Sequence, residues 1–352
     1  MKRSGWRGAV LGLLAILAVL PACAAPKKTP AAAVDLRQHP TGGRTPVEVA
    51  VGLYITNLVA IDETRESFEV GGYLTARWLD ARLALPQDQT DAPASRNFRP
   101  DEIWTPAVEA ANSISHRTNQ YFLSADRNGV VTYIERFEAV LSSEYDLRKF
   151  PFDTQQLQIE IQPFLSTASE IRFASQPLAS TGISPEQHTD LAAWQFKNLQ
   201  YSAEKVAQVP SFPAGNEALF QLKVTRRAGF YIWKAFVPLL LMTLIPTVVF
   251  WIDVSQFDWV LKIPMTMLLA MVALEFTIAR DLPRIGYITL LDAAFLASFA
   301  FCFFCIAEIT SVFLLHLRGR RELAVKLHRA GKWAYPVSYF CLLGLLSICF
   351  LA

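Results

Sequence analysis

Lys262, Thr266, Leu269, Ala273, Phe276 and Arg280 recur three or four positions apart, the spacing of one helical face. Down that face the chemistry runs charged, hydroxyl, apolar, small, aromatic, charged. A helix wrapped on all sides by lipid and other helices has no use for such a graded stripe. One that lines a water-filled hole can use its charged ends as ion filters and its apolar middle as a gate that closes by dewetting. The competing reading is that Lys262 and Arg280 only snorkel to the two membrane surfaces and that the stripe is ordinary packing.

Other chemistry is weakly represented. The five histidines, His39, His116, His188, His316 and His328, are scattered and show no metal-ligand spacing. There is no nucleophile elbow and no phosphate-cradling glycine loop, so neither an enzyme nor a cofactor is expected. No basic, aromatic-interleaved stretch of the kind that binds nucleic acid occurs between Val47 and Arg227. None of the five cysteines lies there either. That segment must be held by its own core, for which roughly 180 residues suffice.

The elements that position the stripe follow from composition. Of 352 residues, 52% are hydrophobic and 18% charged, too apolar for an ordinary soluble chain. Lys2, Arg3 and Arg7 precede an apolar run and then small residues, so residues 1–25 read as a cleaved secretory signal. Leu20-Pro21-Ala22-Cys23 is similar to a lipobox with its proline off pattern, leaving lipidation of Cys23 as the alternative to plain cleavage. Residues 26–46 lack hydrophobic period and read as a disordered leader. From 47 to 227 alternation dominates, in segments such as VEVAVGLYITNLVAI and GVVTYIERFEAVLSSEYDL, and predicts an antiparallel, immunoglobulin-like β-sandwich.

Residues 228–352 hold four apolar runs, near 230–252, 260–279, 287–317 and 333–352, each near or above the length that crosses a bilayer. The expected architecture is thus an all-β exported sandwich followed by an all-α four-helix transmembrane bundle. With an exported start, the loop from Arg318 to Lys332 is cytoplasmic, and its six basic residues against Glu322 agree with that orientation. Trp233, Trp251, Trp259 and Trp333 fall near the expected interfaces. The chain reads as multi-pass in the cell's inner (plasma) membrane, in contact with lipid, with its N-terminal half periplasmic or extracellular.

Ser143 to Leu157, SEYDLRKFPFDTQQL, resembles the signature loop of the pentameric ligand-gated ion channels, with its aromatic-Pro-aromatic-Asp core. Ser143 and Leu157 stand where animal members carry loop cysteines, the pattern of bacterial members. Trp78-Leu79-Asp80, Ile103-Trp104-Thr105-Pro106 with Asn112, and Arg226 with Phe230-Tyr231 and Pro238 resemble further family motifs in family order. Gln162-Pro163-Phe164, Phe250-Trp251, Leu282-Pro283-Arg284 and Tyr287 to Asp292 are similar to a bacterial amine-gated member. Read alone, Phe150 and Phe152 flank Pro151 in a rigid turn, with Asp153 beside it. The resemblance implies that Phe150, Pro151, Phe152, Asp153, Arg226 and Pro283 form the coupling element between the sandwich and the helices, near the 61–65 loop.

The resemblance also implies a homo-pentamer that binds a small agonist, an amine or protons, between subunits. The aromatic positions it assigns to ligand binding are Tyr73, Phe164, Tyr201 and Phe212, with Ala111 standing where many animal receptors carry an aromatic. For each ring, core packing is the competing role. In the family register, Leu269 and Phe276 fall at the constriction, with Thr266 below and Ala273 between, and permeant ions pass along that face. Asp258 stands near the cytoplasmic mouth, where cation channels carry an acidic ring, and Lys262 opposes it. Proline is tolerated in a helix's first turn, which puts the helix start near Ile263 and leaves Lys262 at the rim, beside Asp258; the expectation is cation conduction. The alternative function is a membrane-anchored periplasmic binding protein without a pore. Glu275, Asp292 and Glu308 lie at or near membrane depth, where an ionisable group must face protein or water.

Overall fold

Alternation makes strands from Val47 onward, and the apolar side of each strand decides which way it packs. The computed structural model describes residues 35–85, 93–164, 170–184, 192–205, 216–252 and 257–351. The expected signal over residues 1–25, residues 26–34 of the expected leader, and Phe212 in the 206–215 stretch lie outside the described residues. Among the described residues the strands are β1 Val47–Asp62, β2 Ser67–Leu79, β3 Ser95–Asn97, β4 Val108–Ala110, β5 Ser113–Asp126, β6 Val130–Ser142, β7 Thr154–Pro163, β8 Ile171–Phe173, β9 Gly182–Ile183, β10 Trp194–Lys205 and β11 Asn216–Arg226. One sheet runs β3-β5-β6-β2-β1-β8, with β9 also pairing β1; the other runs β10-β11-β7-β4. All pairs are antiparallel except β1 with β8 and β9.

Between the sheets, Val49, Val51, Leu53 and Ile55 of β1 share a core with Leu157, Ile159 and Ile161 of β7 and with Phe220, Leu222 and Val224 of β11. Each fully buried side chain of this size contributes about 1.5–3 kcal/mol over exposure, which explains how the sandwich dispenses with disulfides. The Trp78 and Trp104 rings of the two tryptophan motifs meet edge to face at 6.1 Å. The β5–β6 turn is fixed by Asp126, whose Oδ1 accepts from the Asn128 and Val130 N–H groups. Gly129 closes it at a φ of 81°. A Cβ there would stand 2.5 Å from the Asp80 carbonyl oxygen, so no other residue fits.

Four helices follow, each long and apolar enough to cross a membrane: α1 Gly229–Trp251, α2 Phe257–Ile278, α3 Leu290–Leu317 and α4 Arg321–Leu351. α1 is irregular. A wide turn over Ile232–Phe236 precedes Pro238, and the helix tightens to 3₁₀ over Ile245–Trp251, around Pro246; both prolines lack the N–H a regular ladder needs.

Two expectations are corrected. α4 begins at Arg321, not Trp333, because the expected loop carries strong helix formers in RELAVKLHRA. α3 instead ends abruptly at Gly319, φ 73°, where the Gly319 N–H donates to the His316 carbonyl and the Arg320 N–H to that of Leu315. α2 is helical from Phe257, so Pro264 lies inside it and Lys262 in its second turn. The proline removes one ladder donor, and its ring is buried on the same side as Val260 and Met271.

Candidate functional site at the sandwich–helix junction

Arg226 ends the last strand, three residues before α1. Its side chain is only 2% exposed. Burial by itself opposes a charge there, yet two carboxylates outweigh it and hold the guanidinium pKa above its ordinary value. Nε donates to Asp153 Oδ1 at 2.8 Å, Nη2 to Asp153 Oδ2 at 3.2 Å, and Nη1 to Glu63 Oε1 at 2.7 Å. The Arg226 N–H also donates to the Asp153 carbonyl at 3.1 Å. Aromatic rings surround the remaining faces: Trp194 at 4.1 Å, Phe150 at 4.7 Å and Tyr231 at 5.9 Å from the guanidinium carbon. Glu63, in the β1–β2 turn, Asp153, just before β7, and Tyr231, in α1, thus share one cation.

The Phe150–Pro151–Phe152 turn splits its two rings. Phe150 is fully buried, edge to face with Tyr231 at 4.6 Å. Phe152 is part-exposed, 6.2 Å from the Phe236 ring. Gln155 braces the loop from behind, donating to the Asp146 carbonyl at 2.8 Å and to Asp153 Oδ2 at 2.6 Å. The loop is tied to the start of α3: the Tyr287 hydroxyl accepts from the Leu147 N–H at 3.0 Å and donates to the Tyr145 carbonyl, while the Leu290 N–H donates to the Arg148 carbonyl at 2.9 Å. Pro283 lies in the α2–α3 connector and lines a cavity of about 360 Å³ with Glu275, Leu282, Tyr287 and Asp292.

Sequence reasoning did not select Glu63, Gln155, Trp194, Tyr231 or Tyr287 as site residues. Tyr287 and Tyr231 gave a signal as aromatics beside the connector and the first helix, Glu63 through the 61–65 loop and Gln155 through the signature motif, both by the resemblance, whereas Trp194 gave none.

On α2, Asp258, Lys262, Thr266, Leu269, Ala273 and Phe276 are all exposed, whereas Val260, Pro264 and Met271 face the other helices. Leu269 is 71% and Phe276 67% exposed in the single chain. The Thr266 hydroxyl donates to the Lys262 carbonyl at 2.8 Å. Lys262 does not pair with Asp258: its Nζ lies over the Trp259 ring, 5.2 Å from the centroid, and no ion pair joins the two among the described residues. Asp292 caps α3 through Thr289, accepting from the Thr289 N–H at 3.0 Å. Glu308 faces His328 of α4 at 3.6 Å.

The aromatic positions are spread over the sandwich. Tyr73 lies on β2 opposite Tyr54 and Arg136, on the side away from the core. Phe164, just past β7, is 66% exposed, with no ring contact among the described residues. Tyr201 resembles a core residue: its ring sits 5.0 Å from Phe220, its hydroxyl donates to the Ala174 carbonyl at 2.7 Å, and burial raises its pKa.

Residues 34–228 match the family described as neurotransmitter-gated ion-channel ligand binding domain. The chain is 24% identical over 295 residues to a proton-gated ion channel of Gloeobacter violaceus, covering 84% of this chain and 80% of that one. It is 25% identical over 311 residues to a gamma-aminobutyric acid receptor subunit beta-like of Drosophila melanogaster and 28% identical over 304 residues to the human glycine receptor subunit beta. Those matches cover 83% of this chain but only 61% and 60% of the animal subunits. These relatives are channels and receptor subunits, not enzymes. A signature loop seated on an arginine at the mouth of a four-helix bundle, joined to a sandwich that matches this family over more than half the chain, has one reading: the protein belongs to the pentameric ligand-gated ion channels of the Cys-loop superfamily.

Proposed function

We propose that this chain assembles as a homo-pentamer in the inner membrane, with the sandwich on the periplasmic side, and opens a pore lined by α2 when a small ligand binds between subunits. The observation that carries the reading is the unpartnered face of α2: Thr266, Leu269, Ala273 and Phe276 point away from every other helix of their own chain. Exposed apolar side chains on a long helix need a partner, and five copies in a ring give Leu269 and Phe276 one while leaving a hydrophobic constriction at the axis.

Tyr73 and Phe164 sit on different sheets, which supports a ligand box drawn from two neighbouring copies rather than one. An ammonium group suits such rings, each attracting it by roughly 0.5–2 kcal/mol; a proton is the alternative agonist, as in the named function of the Gloeobacter relative. Asp258 supplies an acidic ring for cations at the inner mouth, and Lys262, one turn deeper, opposes it. Arg226 and Tyr287 pass a change in the sandwich to the start of α1 and the start of α3.

Liposome or planar-bilayer recording from purified protein, with a panel of amines, several pH values and a salt gradient, tests agonist class and selectivity together. Ligand-evoked current with a cation-type reversal potential is expected. A purified protein that stays monomeric, or passes no current under any of these conditions, sinks the proposal.

A further inference from the structure

The edge of the sandwich holds an ionic cluster around one buried carboxylate, which the junction does not use. Glu135 of β6 is 5% exposed, on the core side of its sheet. Its carboxylate accepts from three donors: His116 Nε2 at 2.7 Å, Thr118 Oγ1 at 2.5 Å and the Tyr133 hydroxyl at 3.0 Å. His116 and Thr118 come from β5, which pairs with β6 here but among the described residues has no strand on its far side over Ser113–Phe122, since β3 pairs Ser124–Asp126 and the Phe98 N–H reaches the Leu123 carbonyl. The His116 ring stacks flat on Phe137, 5.7 Å between centroids at 9°. Tyr121 of β5 stacks on Tyr133 from the solvent side, 6.5 Å away.

Glu109 on β4, in the opposite sheet, also favours the protonated ring, from an exposed position and without a direct contact. Arg117, Arg136 and Glu138 alternate onto the other face of β5 and β6, and none of them contributes to the His116 environment. Between Glu109 and His116 the chain crosses from one sheet to the other, and Asn112 rivets that crossing. Its Nδ2 donates to the Ser142 carbonyl of one sheet and the Gln158 carbonyl of the other, both at 2.8 Å.

From this arrangement we infer that His116 is a proton-operated clasp: on taking up a proton it forms an ion pair with the buried Glu135 and so pins the start of β5, which follows the β4–β5 crossing with Ala111 and Asn112, to β6 at the edge of the sandwich. Neutral, the ring leaves the Glu135 charge to uncharged donors alone. The direction is fixed by the surroundings. The hydrogen bond to Glu135 raises the His116 pKa above 6.5 against the opposing effect of burial. Glu135 is held below the ordinary carboxylate value because the donors outweigh its burial. The His116 contribution is therefore fully present below about pH 6.5 and lost as pH rises through the folded value. That of Glu135 is present above about pH 4.5 and lost as pH falls through its own lowered value. The clasp is closed between those two limits.

The inference concerns the fold of the sandwich and rests on the channel reading only for its current readout. The test uses the full chain in lipid nanodiscs. Carbon-13-labelled histidine NMR reads the five imidazoles, His116 being identified as the resonance missing in His116→Gln. Its midpoint is expected above 6.5 in the parent and lower in Glu135→Gln. Thermal unfolding is expected to weaken with rising pH above that midpoint in the parent and to lose that slope in His116→Gln. If His116→Gln does not fold, the imidazole whose midpoint falls in Glu135→Gln identifies the residue.

A His116 midpoint at or below 6.5, or an unchanged pH slope in His116→Gln, overturns the clasp. Where current is obtained, ligand potency in the parent should change across the same pH interval and that of His116→Gln should not. Failure of all current leaves the two structural arms standing and counts against the channel reading alone.

Discussion

Arg226 grips Asp153 with two parallel hydrogen bonds, Nε to Oδ1 at 2.8 Å and Nη2 to Oδ2 at 3.2 Å, both side chains being almost completely buried. This is the bidentate geometry in which a guanidinium is hardest to replace. Asp153→Asn removes the charge and leaves the cation with Glu63 alone, which is itself more exposed. Breaking a buried pair from one side costs about 3–5 kcal/mol. Asp153→Asn should therefore lower the unfolding midpoint of the purified protein by several degrees and abolish ligand-evoked opening, while Glu63→Gln does so more weakly. Equal losses from the two variants would mean that Asp153 holds no privileged place in the network.

Tyr287 is a side-chain tie from the signature loop to the approach of α3, beside the backbone bond from Leu290 to Arg148, since its hydroxyl both accepts from the Leu147 N–H and donates to the Tyr145 carbonyl. Arg148 also lies over its ring at 5.4 Å. Tyr287→Phe keeps the ring and deletes the two hydrogen bonds, a net change of about 1–2 kcal/mol. We expect normal assembly and unitary conductance but a reduced open probability at saturating ligand. Unchanged open probability in single-channel records would place coupling elsewhere, in the Arg226 cluster alone.

The sandwich was legible because alternation in β1, β2, β6, β7 and β11 is a local signal, and the four helices because length and apolarity are as well. The Asp153–Arg226 meeting was legible only through the family resemblance, as the residues stand 73 positions apart. The Trp194 face of the same cage gave no signal, because an aromatic beginning a strand reads as core. Helix limits failed where a residue type carries two meanings. Pro264 reads from sequence as a first-turn proline although it sits inside α2, and the basic run after Gly319 reads as loop although its residues favour helix. The exposed face of α2 was legible from spacing alone, since only the period of α2 decides which side chains escape the neighbouring helices.

That face supports a direct accessibility experiment. Cysteines placed at Thr266 and Ala273, on the exposed side of α2, should react with water-soluble thiol reagents when ligand is present. Cysteines at Val260 and Met271, on its buried side, should not. Leu269→Ala shrinks the proposed constriction side chain and should give a leak current without ligand. Equal reactivity on both sides, or a silent Leu269→Ala, would contradict the ring of α2 helices.

Phe164 and Tyr201 separate ligand contact from packing, because both are aromatic yet only one has ring and hydroxyl partners. Phe164 is largely exposed, so truncation removes little packing, and surface changes of that kind usually stay within about 0.5 kcal/mol. Phe164→Ala should therefore leave the unfolding midpoint in place and shift the ligand dose–response to higher concentration. Tyr201→Phe loses the hydrogen bond to the Ala174 carbonyl and should cost about 1 kcal/mol of stability with a smaller effect on potency. Binding of an amine probe, followed by fluorescence alongside thermal unfolding, reads both quantities on the same sample. A Phe164→Ala protein that binds the probe as the parent does, or whose single-channel conductance falls, removes Phe164 from the ligand site; a Tyr201→Phe protein with parental stability and lost binding moves Tyr201 from the core into it.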